Sequence, residues 1–136
     1  DHRDLHSFPT RRSSDLCVNA ATQYAGIAAL DGPQDAVDDM VCAFEERRQL
    51  IVDGLNAIPG FRCRRPGGAF YAFPNVEGTG FDARSLQRRL LEEAGVATVA
   101  GTSFGHLGEG FIRFSYANSV DNIEKALKRI TSLLAD

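Results

Sequence analysis

Residues 111–117 read FIRFSYA, which sets an arginine in the middle of an apolar run. Side chains alternate along a strand. Ile112, Phe114 and Tyr116 should therefore face a core, and Phe111, Arg113 and Ser115 the other side. A guanidinium in such surroundings stays charged and needs a partner or water. Its planar fork suits a carboxylate held by two parallel hydrogen bonds. Two readings are open for Arg113. It receives the carboxylate of a substrate, or it sits on the wet face of a sheet beside an acid of its own chain.

Two neighbouring stretches could line the same place. GTSFGHLGEG, residues 101–110, has four glycines, which permit tight turns and close approach to a ligand. It lacks the terminal Lys–Ser/Thr of a phosphate loop. Ser103 and His106 could do acid–base work, but neither has an identifiable partner in the sequence, and a flexible connection between strands is the other reading. PGGAFYAFP, residues 66–74, is a glycine pair opening an aromatic strand. Most such strands are core. Some line a pocket. Arg62, Arg64 and Arg65 just before it read as charged guards of a sheet edge.

The elements that must hold these residues can be read along the chain. CVNAATQYAGIAAL, residues 17–30, reads as a buried helix packed through its alanines. Asp31–Gly32–Pro33 breaks it, with Pro33 suited to the first position of the next helix. That helix runs to about Ala57. Its stripe is Val37, Met40, Val41, Phe44, Ile51, Val52, Leu55 and Ile58. After Pro59–Gly60, strands are expected over 61–65 and 69–73, paired as a hairpin. Asp82 caps a helix to about Ala94, with Phe81 placed to staple Leu86, and Gly95 stops it. Strands follow at 96–100 and 111–117. Ser119 caps a last helix with the stripe Ile123, Ala126, Leu127, Ile130, Leu133 and Leu134. The expected fold is α+β: a small, mostly antiparallel sheet with helices packed on one face.

Composition narrows the function. The chain has 136 residues, 43% hydrophobic and 24% charged, enough for one domain with a core. Its formal net charge of −3 gives no pull toward nucleic acid or anionic membranes. No apolar run is long enough to span a bilayer. Cys17, Cys42 and Cys63 are odd in number and carry no C-x-x-C spacing, so neither a disulfide framework nor a zinc site is expected. A reducing cytosol is the default compartment. His2, His6 and His106 assemble no metal cluster.

Taken in order, NAATQYAGIAALDGP, GLNAIPG, PGGAFYAFP, LLEEAGVATVAGTSFG and GEGFIRFSYANS resemble the C-terminal part of a fold-type I, class I/II aminotransferase, closest in flavour to the aspartate-aminotransferase branch. The resemblance covers residues 17–136. It implies pyridoxal phosphate as cofactor, amino-acid and 2-oxo-acid substrates, and a homodimer with sites shared between subunits. It implies that Arg113 anchors the α-carboxylate of the substrate. It places Gly68 and Phe70 where the small domain approaches the substrate, and Thr102 and Ser103 near the site entrance. Asn19 falls near a stretch that reaches the neighbouring subunit's site.

The departures from the family pattern are as informative. The cofactor's Schiff-base lysine, the aspartate for its ring nitrogen and its phosphate-holding residues belong upstream of this segment in the family. The two lysines here, Lys125 and Lys128, match no cofactor motif. Residues 17–32 then correspond to the trailing edge of a large domain and 33–136 to the small domain, and the chain alone should not transaminate. Residues 1–16, DHRDLHSFPTRRSSDL, resemble a sequencing-library adapter translated in frame, and on that reading are not native. A different class of function is also open: a non-catalytic α+β module that binds a small acid through Arg113.

Overall fold

The computed structural model of the chain describes residues 18–135. The adapter-like stretch 1–16 lies outside them. The chain divides into two compact units between Asp38 and Asp39. Seven elements are named: α1 (Ala20–Asp31), α2 (Asp35–Asn56), β1 (Tyr71–Ala72), α3 (Ala83–Glu92), β2 (Val99–Ala100), β3 (Ile112–Ser115) and α4 (Val120–Ala135).

The first unit contains α1. Asn19 caps it, its Oδ1 accepting from the Thr22 backbone N–H at 2.9 Å and the Thr22 hydroxyl at 3.1 Å. The expectation that this helix is buried is corrected: none of its residues is buried, and Tyr24 and Leu30 are 74% and 83% exposed. Apolar residues lie on every side of α1, the pattern of a helix covered all round, and the described residues do not cover it. Pro33 also falls outside the next helix. The Gln34 side chain donates back to Ala29 O and Gly32 O, so the following helix starts only at Asp35.

The second unit holds the sheet. Its order is β1–β3–β2, with both pairings antiparallel. Ile112, Phe114 and Tyr116 point into one core with Ile51, Val52 and Leu55 of α2, Leu86 and Leu90 of α3, and Ile123, Leu127 and Ile130 of α4. The α+β expectation, with helices on one face of a small antiparallel sheet, holds. Within α2 the stripe is used unevenly. Met40 and Val41 are each 54% exposed, and packing onto the core begins at Phe44.

The hairpin of strands 61–65 and 69–73 is corrected. Residues 61–65 form only one isolated bridge, Arg62 to Asn75, and β1 pairs with β3 instead. On the side of this segment away from Asn75, the Asn56 amide takes both backbone groups of Cys63, donating to its carbonyl at 3.0 Å and accepting from its N–H at 2.8 Å. The expected helix caps do form. Asp82 accepts from the N–H groups of Arg84 and Ser85, both at 3.0 Å. Gly95 takes φ +64, and Val96 N–H returns to Leu90 O at 2.7 Å. Phe81 lies under the Arg89 guanidinium, 4.8 Å from ring centroid to Cζ.

Two predictions follow from this packing. Leu86 is completely buried, so Leu86→Ala should cost about 2–5 kcal/mol, read by urea unfolding with an unchanged slope. The second concerns pH. Hydrogen bonds, first from the Ser85 side chain and then from its backbone, hold the Asp82 carboxyl below its ordinary range. The cap's stabilisation is therefore complete above the unfolded-state carboxylate range, and is lost as pH falls through the lower folded value. Asp82→Ala should melt below the unmodified chain at neutral pH. The gap should close in strong acid.

Candidate carboxylate-binding site

β3 is the centre strand, and its alternation decides the site. Ile112 and Phe114 are buried, and Arg113 between them is half-buried on the opposite face. The pairing then chooses its neighbours. Val99 lies opposite Arg113, and Tyr71 lies opposite Ser115, one diagonal step from the arginine. The Tyr71 ring centroid is 4.3 Å from the guanidinium carbon.

The second aromatic comes from the glycine-rich loop. GTSFGHLGEG folds into two short 3-10 turns, Gly101–Phe104 and His106–Gly108. The two turns stack backbone on backbone: a Cβ on Gly101 would sit 2.1 Å from Gly108 O. Gly101 N–H donates to Phe111 O at 2.7 Å, and Phe111 N–H to Gly108 O at 3.2 Å, tying the loop to the start of β3. This fold places Phe104 with its ring centroid 4.6 Å from the same guanidinium carbon. Phe73 stacks on Phe111 at 5.3 Å and meets Phe104 edge-on at 6.1 Å, which continues the aromatic surface.

Two rings therefore flank Arg113. Cation–π contact and partial desolvation favour a fixed guanidinium plane. Among the described residues, no Asp or Glu lies within ion-pair distance of Arg113. The reading of an arginine paired with an acid of its own chain thus finds no partner there. A half-buried guanidinium held by rings, with no acid partner among the described residues, has the shape and charge to receive a carboxylate.

The other candidate residues separate. Phe70 lies tilted against Tyr71, with ring centroids 4.5 Å apart, and so borders the site. Gly68 is exposed in the turn that leads into it. The Thr102 hydroxyl accepts from Arg84 Nε at 3.2 Å. Ser103 lines a shallow groove with Arg84, Gln87, Arg88 and Leu91. The loop thus turns Thr102 and Ser103 to α3 and only Phe104 to Arg113. Asn19 is the cap of α1, in the other unit. Tyr71 and Phe104 were missed by sequence reading. Alternation from Phe73 would have found Tyr71, had the partner of β1 been known.

No three His, Cys, Asp or Glu gather into a metal site among the described residues. An aldehyde cofactor held as a Schiff base would need an amine beside Arg113. Lys125 and Lys128 are both on α4, which packs on the core side of the sheet. The residues of this chain do not fit such a cofactor, and no step through it is derived for them.

The family model for aminotransferase class I and II matches residues 3–130. An aspartate aminotransferase of Geobacillus stearothermophilus is 48% identical over 132 residues, covering 93% of this chain and 32% of that protein. One from Pyrococcus horikoshii is 41% identical over 119 residues, covering 86% and 30%. The solved structure of an aromatic aminotransferase from Pyrococcus horikoshii superposes with a TM-score of 0.83 at 34% identity, covering 93% of this chain and 34% of that one. The chain spans about a third of the length of these relatives. Its sequence and its fold agree, and the chain belongs to the class I and II aminotransferases.

Proposed function

We propose that residues 17–136 are the C-terminal part of a pyridoxal-phosphate-dependent aminotransferase, and that Arg113 anchors the α-carboxylate of its substrates. In its whole length the protein would move an amino group from an amino acid to a 2-oxo acid. The observation that carries this is Arg113 itself: half-buried, flanked by Tyr71 and Phe104, and without an acid partner among the described residues. When bound, pyridoxal phosphate supplies an electron sink. Its lysine and phosphate contacts are assigned to the part of the protein that this chain does not span.

The work of this chain is then positional. Arg113 grips the carboxylate at two oxygens and so fixes the rotation of the substrate about that end. Tyr71 and Phe104 keep water from the guanidinium faces, which strengthens the grip. Gly68 and Phe70 are assigned to the small-domain border of the pocket, Thr102 and Ser103, which face α3, to the outer rim of its entrance, and the stretch around Asn19 to the neighbouring subunit's side in a homodimer. Residues 33–136 form the small domain and 17–32 the trailing edge of the large one. Residues 1–16 are assigned to a translated adapter. The family match begins at residue 3, so that boundary is tested by the source DNA. Native genomic codons upstream of Cys17 would refute it. The proposed compartment is the cytosol. Among the described residues, no helix is long and apolar enough to cross a membrane.

The test uses both lengths. The whole protein with pyridoxal phosphate should transfer an amino group to a 2-oxo acid. The 136-residue chain with added pyridoxal phosphate should not, and borohydride should trap no stoichiometric adduct at Lys125 or Lys128. An inactive whole protein, or a trapped lysine in the short chain, overturns the reading.

A further inference from the structure

Ala69 has φ +59, a left-handed conformation that its Cβ makes costly. It directly precedes Phe70 and Tyr71, so its backbone sets the course of the chain into Tyr71, whose ring reaches Arg113. Something must hold it there. The Tyr116 hydroxyl donates to Ala69 O at 2.8 Å, across 47 residues of sequence. One residue on, Tyr116 N–H donates to Phe70 O at 3.0 Å. Tyr116 is 1% exposed. Burial pushes its phenol above the ordinary value, the Arg48 charge offsetting part of this, so it remains a donor at neutral pH. Phe44 of α2 closes the cluster, 6.2 Å from both the Tyr116 and Phe70 rings. Arg48 of the same helix donates to Pro66 O at 3.4 Å, at the other end of the turn.

The contacts form one path. Tyr116 holds Ala69, Ala69 sets the course of the chain into Tyr71, and Tyr71 backs the guanidinium 4.3 Å away. We infer that Tyr116 is a positioning residue for the Arg113 site, its buried hydroxyl clamping the left-handed turn at Ala69 so that Tyr71 is presented under the guanidinium. The role of Arg113 toward carboxylates rests on the proposed function; the clamp itself is a property of the ligand-free chain. Strain held at one residue by a distant buried group marks the turn as built for a purpose beyond chain reversal.

Proton NMR of the 136-residue chain separates the two claims. Without ligand, the Arg113 side-chain protons should be shifted upfield by the Tyr71 and Phe104 rings. Tyr116→Phe, which keeps the buried ring and removes only the hydroxyl, should lose most of that shift. Adding Ala69→Gly should restore it, because glycine adopts φ near +59 without steric cost. Unchanged Arg113 shifts in Tyr116→Phe overturn the clamp, as does a folded double variant that fails to recover them. Acetate is then titrated against the Tyr71 ring signals. Binding should weaken about fivefold in Tyr116→Phe and return in the double variant. A Tyr116→Phe affinity equal to that of the unmodified chain also counts against the clamp. Acetate binding that survives Arg113→Ala refutes the carboxylate reading and leaves the ligand-free result to judge the clamp alone.

Discussion

In the whole protein, Arg113→Ala should lower kcat/KM for amino-acid substrates by about two to three orders of magnitude. The size follows from what is removed. A charge-assisted, two-point grip on a carboxylate is lost, and the substrate carboxylate is left desolvated against the Tyr71 and Phe104 rings. Arg113→Lys should recover only part of the activity. An ammonium restores the charge but not the planar fork, and it stacks less well between two rings. Steady-state kinetics over a series of amino donors checks this. The loss should be similar for every donor, since all share the α-carboxylate. A loss confined to acidic donors would move Arg113 from the α-carboxylate to a side-chain role.

Gly101→Ala should be strongly damaging, as should Gly108→Ala on the other side of the same contact. A Cβ on Gly101 would meet Gly108 O at 2.1 Å and Phe111 O at 2.8 Å, backbone atoms that cannot swing aside as a side chain would. The two 3-10 turns must part, at a cost of about 1–3 kcal/mol by the usual penalty of overpacking. The functional effect is the more specific one. Phe104 rides on the first of these turns, so one ring over Arg113 is displaced and carboxylate affinity falls with stability. Gly80→Ala is the control. Gly80 has positive φ, +79, but nothing lies within 4 Å of its would-be Cβ. It should lose stability and keep carboxylate binding. Thermal melts and acetate titrations of Gly101→Ala and Gly80→Ala separate these outcomes.

Local signals carried much of the fold. The Asp82 cap, the Gly95 stop and the α4 stripe are set by residues within a few positions of each other, and they form where the sequence places them. Which face Arg113 occupies was legible for the same reason, because alternation within one strand needs no partner. What surrounds Arg113 was not legible. Tyr71 reaches it through the β1–β3 pairing, and Phe104 through the contact of Gly101 with Gly108. The first depends on contacts distant in sequence. β1 pairs with β3 and not with residues 61–65, and nothing in the periodicity of residues 61–65 reveals that. The exposure of α1 was hidden in the opposite sense. An alanine-rich apolar helix reads as buried, yet burial needs a covering surface as well as an apolar helix.

A crystal structure of the chain with a short 2-oxo acid bound tests the role of Arg113 most directly. The carboxylate should lie edge-on to the guanidinium, both oxygens within hydrogen-bond distance, between the planes of Tyr71 and Phe104. A 2-oxo acid bound instead in the groove of Lys125 and Arg129, with Arg113 untouched, would contradict that role.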